Sequence, residues 1–228
     1  MSSRKRSATM ISGGYKATPF KNPTMRSPLA RLGGRFPGTA SRLSSSELKD
    51  ITVRSLAVVA PLASASGSTP FLVNPVIQGS SATTRIGRRI LMKSLYIRWF
   101  AQLVSTTTGG TPYRMLVVYD SQTNGTAPAV TDVVLTDEIT SPMNLNNSRR
   151  FKTLCDKTWE CLGTGGPQSI TLEKYIKLNL PVEFNNGNAG TVGDIQTGSI
   201  YVICWTGNGL AVTVPTSVFY SRIRFSDT

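Results

Sequence analysis

Beyond its first fifth, the chain alternates apolar and polar side chains at a period of two. In residues 87–104 (GRRILMKSLYIRWFAQLV), Leu91, Leu95, Ile97, Trp99, Ala101 and Leu103 fall on one side, interrupted by Lys93. Ser94, Arg98 and Gln102 lie on the other side. Successive side chains of extended backbone point to opposite faces, so this run predicts a strand. A second strand is predicted over residues 113–120 (YRMLVVYD), and the Thr- and Gly-rich stretch 105–112 between them reads as a hairpin connection. The pair is expected to form the spine of an antiparallel β domain.

The same period marks further strands. Residues 50–59 place Ile51, Val53, Ala57 and Val59 on one side, and residues 71–77 read as a short, Pro-interrupted edge strand. Residues 151–162 put Phe151, Thr153, Cys155, Trp159 and Cys161 on one face. In residues 172–184, Leu172, Ile176, Leu178, Leu180, Val182 and Phe184 oppose Glu173, Lys177, Asn179 and Glu183. Residues 199–205 and 217–225 close the series, with loops at 121–130 and 185–190 and a longer connection over 131–150, where 142–149 reads as a short helix. The sum is an all-β chain of eight antiparallel strands, seven clear and one interrupted. Two sheets of about four strands packed face to face would bury the apolar sides. Long connections alternating with short ones favour Greek-key or jelly-roll wiring over a meander, with a closed up-and-down barrel as the alternative. Trp99, Trp159 and Trp205 sit on core-phase positions and are expected inside.

Charge divides the chain. Residues 1–46 carry Arg4, Lys5, Arg6, Lys16, Lys21, Arg26, Arg31, Arg35 and Arg42, and no acid occurs before Glu47. Residues 47–228 hold the remaining sixteen basic and all twelve acidic residues, so most of the net +13 belongs to the N-terminal segment. That segment is rich in Ser, Gly and Pro and cannot bury enough apolar surface to offset its chain entropy; it is expected to be disordered until it meets a partner. An arm of this charge points to a polyanion, nucleic acid first among them, with Tyr15 and Phe20 available to stack on bases. The plainer reading is a solvated tail that confers solubility. Arg4-Lys5-Arg6 fits a nuclear import signal, a pattern that basic triplets also match by chance. Within the body, three basic groups could extend a phosphate-binding surface: Arg85 with Arg88 and Arg89, Arg149 and Arg150 with Lys152, and Arg222 with Arg224. Solvated faces or ion pairs are their competing roles, and Arg88 and Arg89 are the preferred candidates.

Enzyme constellations are hard to build here. The chain has no histidine, which removes Ser-His-Asp and Cys-His arrangements and the common zinc sites. Cys155, Cys161 and Cys204 lack CxxC spacing and suit free thiols of a reducing compartment better than a disulfide framework. Gly163-Thr164-Gly165-Gly166 lacks the Lys-Ser/Thr of a phosphate loop and reads as a turn. Asp137-Glu138 is a hydrated acidic loop or, at a subunit junction, a calcium ligand pair. No apolar run reaches the ~18 residues needed to cross a bilayer, and no hydrophobic region follows the basic N-terminus as in a secretory signal. No catalytic residue, metal or cofactor is expected.

The stretches GRRILMKSLYIRW, YRMLVVYDSQTNG, SRRFKTLCDK, NLPVEFN and GSIYVICW, in this order, resemble the capsid proteins of circular Rep-encoding single-stranded DNA viruses of geminivirus-like and circovirus-like kind. The resemblance runs from about Glu47 to Phe225; residues 1–46 match only in being a basic arm. It implies a single jelly roll over 47–228 and self-assembly into a small icosahedral shell, T=1 with sixty copies. It also implies an inward arm that packages single-stranded DNA, and a stage in the host nucleus served by the import machinery. No cysteine-histidine pattern occurs in the arm, so zinc-assisted binding is not carried over.

Two other readings share these features: a coat protein of a small single-stranded RNA virus of satellite type, and a nucleic-acid-binding β-barrel module with aromatics on one sheet face. If six to nine arm charges engage phosphate, binding of the full chain to a single-stranded oligonucleotide should weaken with salt at a log–log slope of roughly −4 to −6. A slope near zero in that titration would leave the arm a solubility tail.

Overall fold

The structure is a computed structural model that describes residues 47–54, 70–102, 111–162, 169–206 and 216–228. The basic arm, the second half of the strand expected over 50–59 and the stretch 103–110 lie outside the described residues. Nine strands among the described residues form two antiparallel sheets. The first contains, side by side, β1 (Lys49–Arg54), β9 (Thr216–Asp227), β3 (Arg89–Gln102), β6 (Ser169–Phe184) and β7 (Ile195–Thr197). The second contains β2 (Phe71–Leu72), β8 (Ser199–Thr206), β4 (Thr111–Asp120) and β5 (Phe151–Cys161). The chain changes sheet at most connections, so sequence neighbours are rarely sheet neighbours. This is a jelly-roll sandwich, with β7 as a short addition to the eight strands expected.

The expected β3–β4 hairpin does not form. The two strands lie in opposite sheets and meet across the core, where Trp99 stacks on Tyr113 at 4.7 Å and on Trp159 of β5 at 5.0 Å. Alternation reports which side of a strand is apolar, and that is the same for a hairpin and for two strands facing each other across a sandwich.

Two bulges also break the simple two-residue count. Between Met92 and Ser94 the β3 register slips on both sides: against β6 the extra residue lies on β6, and against β9 it is Lys93. Ile90 and Met92 are therefore buried ahead of it and Leu95, Ile97, Trp99 and Ala101 after it, while Leu91 is only half-buried. In β5 the slip falls at Leu154, between the partners of Val117 and Val118. It sends Phe151 and Cys155, expected on one face, into two different cores. A one-residue insertion reverses every later side chain, which is why neither run keeps one phase throughout.

The main core lies between the sheets. A second core lies on the far side of the second sheet. There Leu116 and Val118 of β4 and Tyr201, Ile203 and Trp205 of β8 pack against Val130, Val133 and Val134. This covering segment includes a one-turn helix, α1 (Val130–Val133), and a 3-10 turn at Leu145–Asn147 inside the stretch expected to be helical. Burial on both sides explains why YRMLVVYD and IYVICW are almost continuously apolar. Arg114 ties the cover down. Its Nε and Nη2 donate to Asp156 at 2.9 and 2.6 Å, and its Nη1 donates to the carbonyls of Ile139 and Ser141 at 3.0 and 2.6 Å.

Cys155 and Cys204 are free, buried thiols, and burial pushes the Cys204 thiol up to about 12. At the crossing from β7 to β8, Gly198 has φ 91°, and a Cβ there would collide with the Pro181 carbonyl. Gly198→Ala should lower stability by about 2 kcal/mol or more, read as a fall in the denaturant midpoint at unchanged slope.

Candidate functional site

With β4 and β8 covered, the outward side of the first sheet is the broader sheet surface left to solvent. Its composition follows from strand register. One cross-strand row reads Arg54, Tyr220, Arg98, Glu173; the next Thr52, Arg222, Tyr96, Tyr175; the next Asp50, Arg224, Ser94, Lys177. Neighbouring strands lie about 4.8 Å apart, so each row brings four side chains from four strands into contact range. Phe100 pairs with Val218 and Thr171 at one end of the face.

Five cations on these rows (Arg54, Arg98, Arg222, Arg224 and Lys177) stand against two acids, Asp50 and Glu173, and both acids are engaged. Glu173 accepts a hydrogen bond from the Tyr96 hydroxyl at 2.7 Å, and this bond holds the Tyr96 phenol above its ordinary pKa. Asp50 lies 3.9 Å from Arg222 Nε in a pair exposed on both sides, which neutralises little. Among the described residues no acid stands within ion-pair distance of Arg98, Arg224 or Lys177. The aromatics are unusually open: Tyr175 is 57% exposed, Tyr220 43% and Phe100 39%. The Arg54 guanidinium lies 5.2 Å from the Tyr220 ring centroid. Tyr96, Arg98, Phe100, Thr171, Val218 and Tyr220 line an open groove of about 520 Å³ on this face.

The sequence candidates divide. The nine arm cations lie outside the described residues. Arg88 is exposed and donates its Nε to the Phe184 carbonyl at 3.1 Å. Arg89 shares the outward side of β3 ahead of the bulge, where it pairs with Glu183 at 3.2 Å. Neither joins the cation rows directly. Arg222 and Arg224 do.

Two other arginines have structural work instead. Arg85 is fully buried over the Phe184 ring and donates to the carbonyls of Gly87 and Gly187 at 2.7 and 2.6 Å. Arg150 makes two 2.9 Å bonds to the fully buried Asp120. Arg54, Arg98, Lys177 and the three open aromatics were missed as a group, although each lies on the polar phase of its strand. Only the lateral order β1-β9-β3-β6 brings them together. Among the described residues no group of three His, Cys, Asp or Glu side chains could share a metal ion, and no helix is long and apolar enough to cross a membrane.

Comparison with known proteins places this geometry. The profile of the satellite tobacco necrosis virus coat protein family matches residues 47–218. The chain is similar to the coat protein of Maize white line mosaic Satellite virus, with 30% identity over 116 residues, or 50% of this chain and 52% of that protein. It is also similar to the capsid protein of Tobacco yellow dwarf virus (strain Australia), with 27% identity over 174 residues, or 65% of this chain and 68% of that protein. The chain thus spans about half the length of the first of these relatives and about two thirds of the second.

The division of the arginines can be checked. Arg150→Ala, which leaves Asp120 buried without its cation, should destabilise the fold by about 3 kcal/mol and leave nucleic-acid affinity unchanged. Arg149→Ala, at an exposed neighbour, should leave the unfolding midpoint in place.

Proposed function

The chain belongs to the satellite tobacco necrosis virus coat protein family, and from that premise we propose that it closes into a T=1 icosahedral shell of sixty copies around a circular single-stranded DNA genome. It is a viral coat protein, a component of the virion and not an enzyme. In the proposal, residues 47–228 form the shell-building body and residues 1–46 form the arm that holds the genome. The arm carries the reading: nine cations without an acid lead directly into β1, the first strand of the sheet whose open side is itself basic. Lysine and arginine on the arm displace counterions condensed on the phosphates, so packaging is driven without reference to base sequence. The body supplies the symmetric contacts that close a point-group assembly. Arg88 and Arg89 at the entrance to β3 add charge near the rim of the face. Arg4-Lys5-Arg6 serves as an import signal that delivers the protein to the host nucleus.

The choice of DNA rests on the order of the strand motifs, from GRRILMKSLYIRW to GSIYVICW, and their likeness to capsids of circular single-stranded DNA viruses. The family match, and the similarity to a satellite-virus coat protein, favour a second reading in which the particle is of satellite type and packages RNA. Counterion release is nearly blind to the sugar, so the two readings separate on the cargo. Nucleic acid extracted from particles formed during infection should be degraded by DNase I and survive RNase A; the reverse pattern selects the RNA reading.

Deleting residues 1–42 should leave shells that form in negative-stain images but contain no genome. Packaging undiminished by that deletion would remove the arm from the proposal.

A further inference from the structure

We infer that the groove bounded by Tyr220 and Phe100 on the outward side of the first sheet is a stacking site for unpaired bases, which makes the body itself selective for single-stranded over duplex nucleic acid. The inference rests on the packaging reading above and adds to it a second binding surface separate from the arm.

Four observations meet at this groove. Its rings come from two adjacent strands, Phe100 on β3 and Tyr220 on β9, both substantially exposed with no apolar cover among the described residues. Arg98 is directly opposite Tyr220 in the register, and Arg54 lies over the same ring from the other side. Arg222 and Arg224 continue the positive track along β9, two and four residues further on. The groove is open to solvent, and its volume of about 520 Å³ leaves room for a flat group the size of a base.

A basic track with aromatic rings set into it is what a flexible polyanion with flat, unpaired bases requires. The phosphates meet the arginines and the bases lie on the rings, where stacking is tolerant of sequence. A second protein copy is a poorer match: five cations opposed by two engaged acids would demand a strongly acidic partner surface, and the whole chain has only twelve acidic residues against twenty-five basic ones. Duplex DNA meets the cations equally well but keeps its bases inside the helical stack, out of reach of Tyr220 and Phe100.

The test uses the full chain with two fluorescent probes of equal phosphate count, a thymidine oligonucleotide and a hairpin duplex, in salt high enough to suppress counterion release. The wild-type chain should prefer the single strand. Phe100→Ala with Tyr220→Ala should lose about tenfold in single-strand affinity for each base it no longer stacks, with duplex affinity unchanged. Phe100→Tyr with Tyr220→Phe, which keeps both rings, should retain the preference. Equal single-strand affinity in the alanine variant and the wild type would overturn the stacking site. So would an alanine variant that binds the oligonucleotide normally but no longer forms shells, because the groove would then be a subunit contact. A wild-type chain that binds neither probe even in low salt would overturn the packaging reading itself, and the two failures are thereby told apart.

Discussion

A two-sheet sandwich has two outward sides, and in this protein one of them is closed over its two inner strands, β4 and β8. The connection between β4 and β5 lays Val130, Val133 and Val134 over β4 and β8, and Arg114 fastens that cover through Asp156 and two backbone carbonyls. β4 and β8 are thus buried on both sides, which their nearly unbroken apolar sequences require, while the edge strand β5 keeps Thr153, Asp156, Thr158 and Glu160 exposed. The broader open sheet surface is that of the first sheet. Its outward rows are correspondingly polar, cationic and aromatic, and its inward side carries Trp99, which meets the Tyr113 and Trp159 rings of the second sheet across the core.

This asymmetry separates two kinds of arginine that look alike in sequence. Arg85, Arg114 and Arg150 lie among carbonyls and carboxylates, where a planar guanidinium can satisfy several acceptors at once. Arg54, Arg98 and Arg224 stand on exposed strand positions, and their charge is available to a partner. A triplet such as SRR mixes the two: Arg149 is exposed, while Arg150 is committed to a buried aspartate.

Much of the fold was legible because a period of two survives in most strands, and the eight expected strands all have counterparts. What was lost depends on non-local facts. The extra residues Lys93 and Leu154 reverse the phase inside runs that look continuous. The pairing of β3 with β6 and β9 rather than β4 is decided by partners far away in the chain. The polar phases of β3, β6 and β9 were readable strand by strand, with Arg98, Lys177, Arg222 and Arg224 in place. Their convergence on one face was not, because lateral order is a property of the closed sandwich. The arm's charge was fully legible, since it depends on composition alone.

The pairing of β1 with β9, from Lys49 opposite Phe225 to Arg54 opposite Tyr220, has a consequence for biosynthesis. β9 also fills the space between β1 and β3, so the first sheet stays incomplete until the end of the chain has left the ribosome. At ordinary elongation rates that delay is on the order of ten seconds or more after β1 emerges. Throughout it the cationic residues 1–46 are already outside the ribosome while the first sheet is still open. A nascent or truncated polypeptide therefore has no finished wall to build with, and only completed copies carry a closed sandwich.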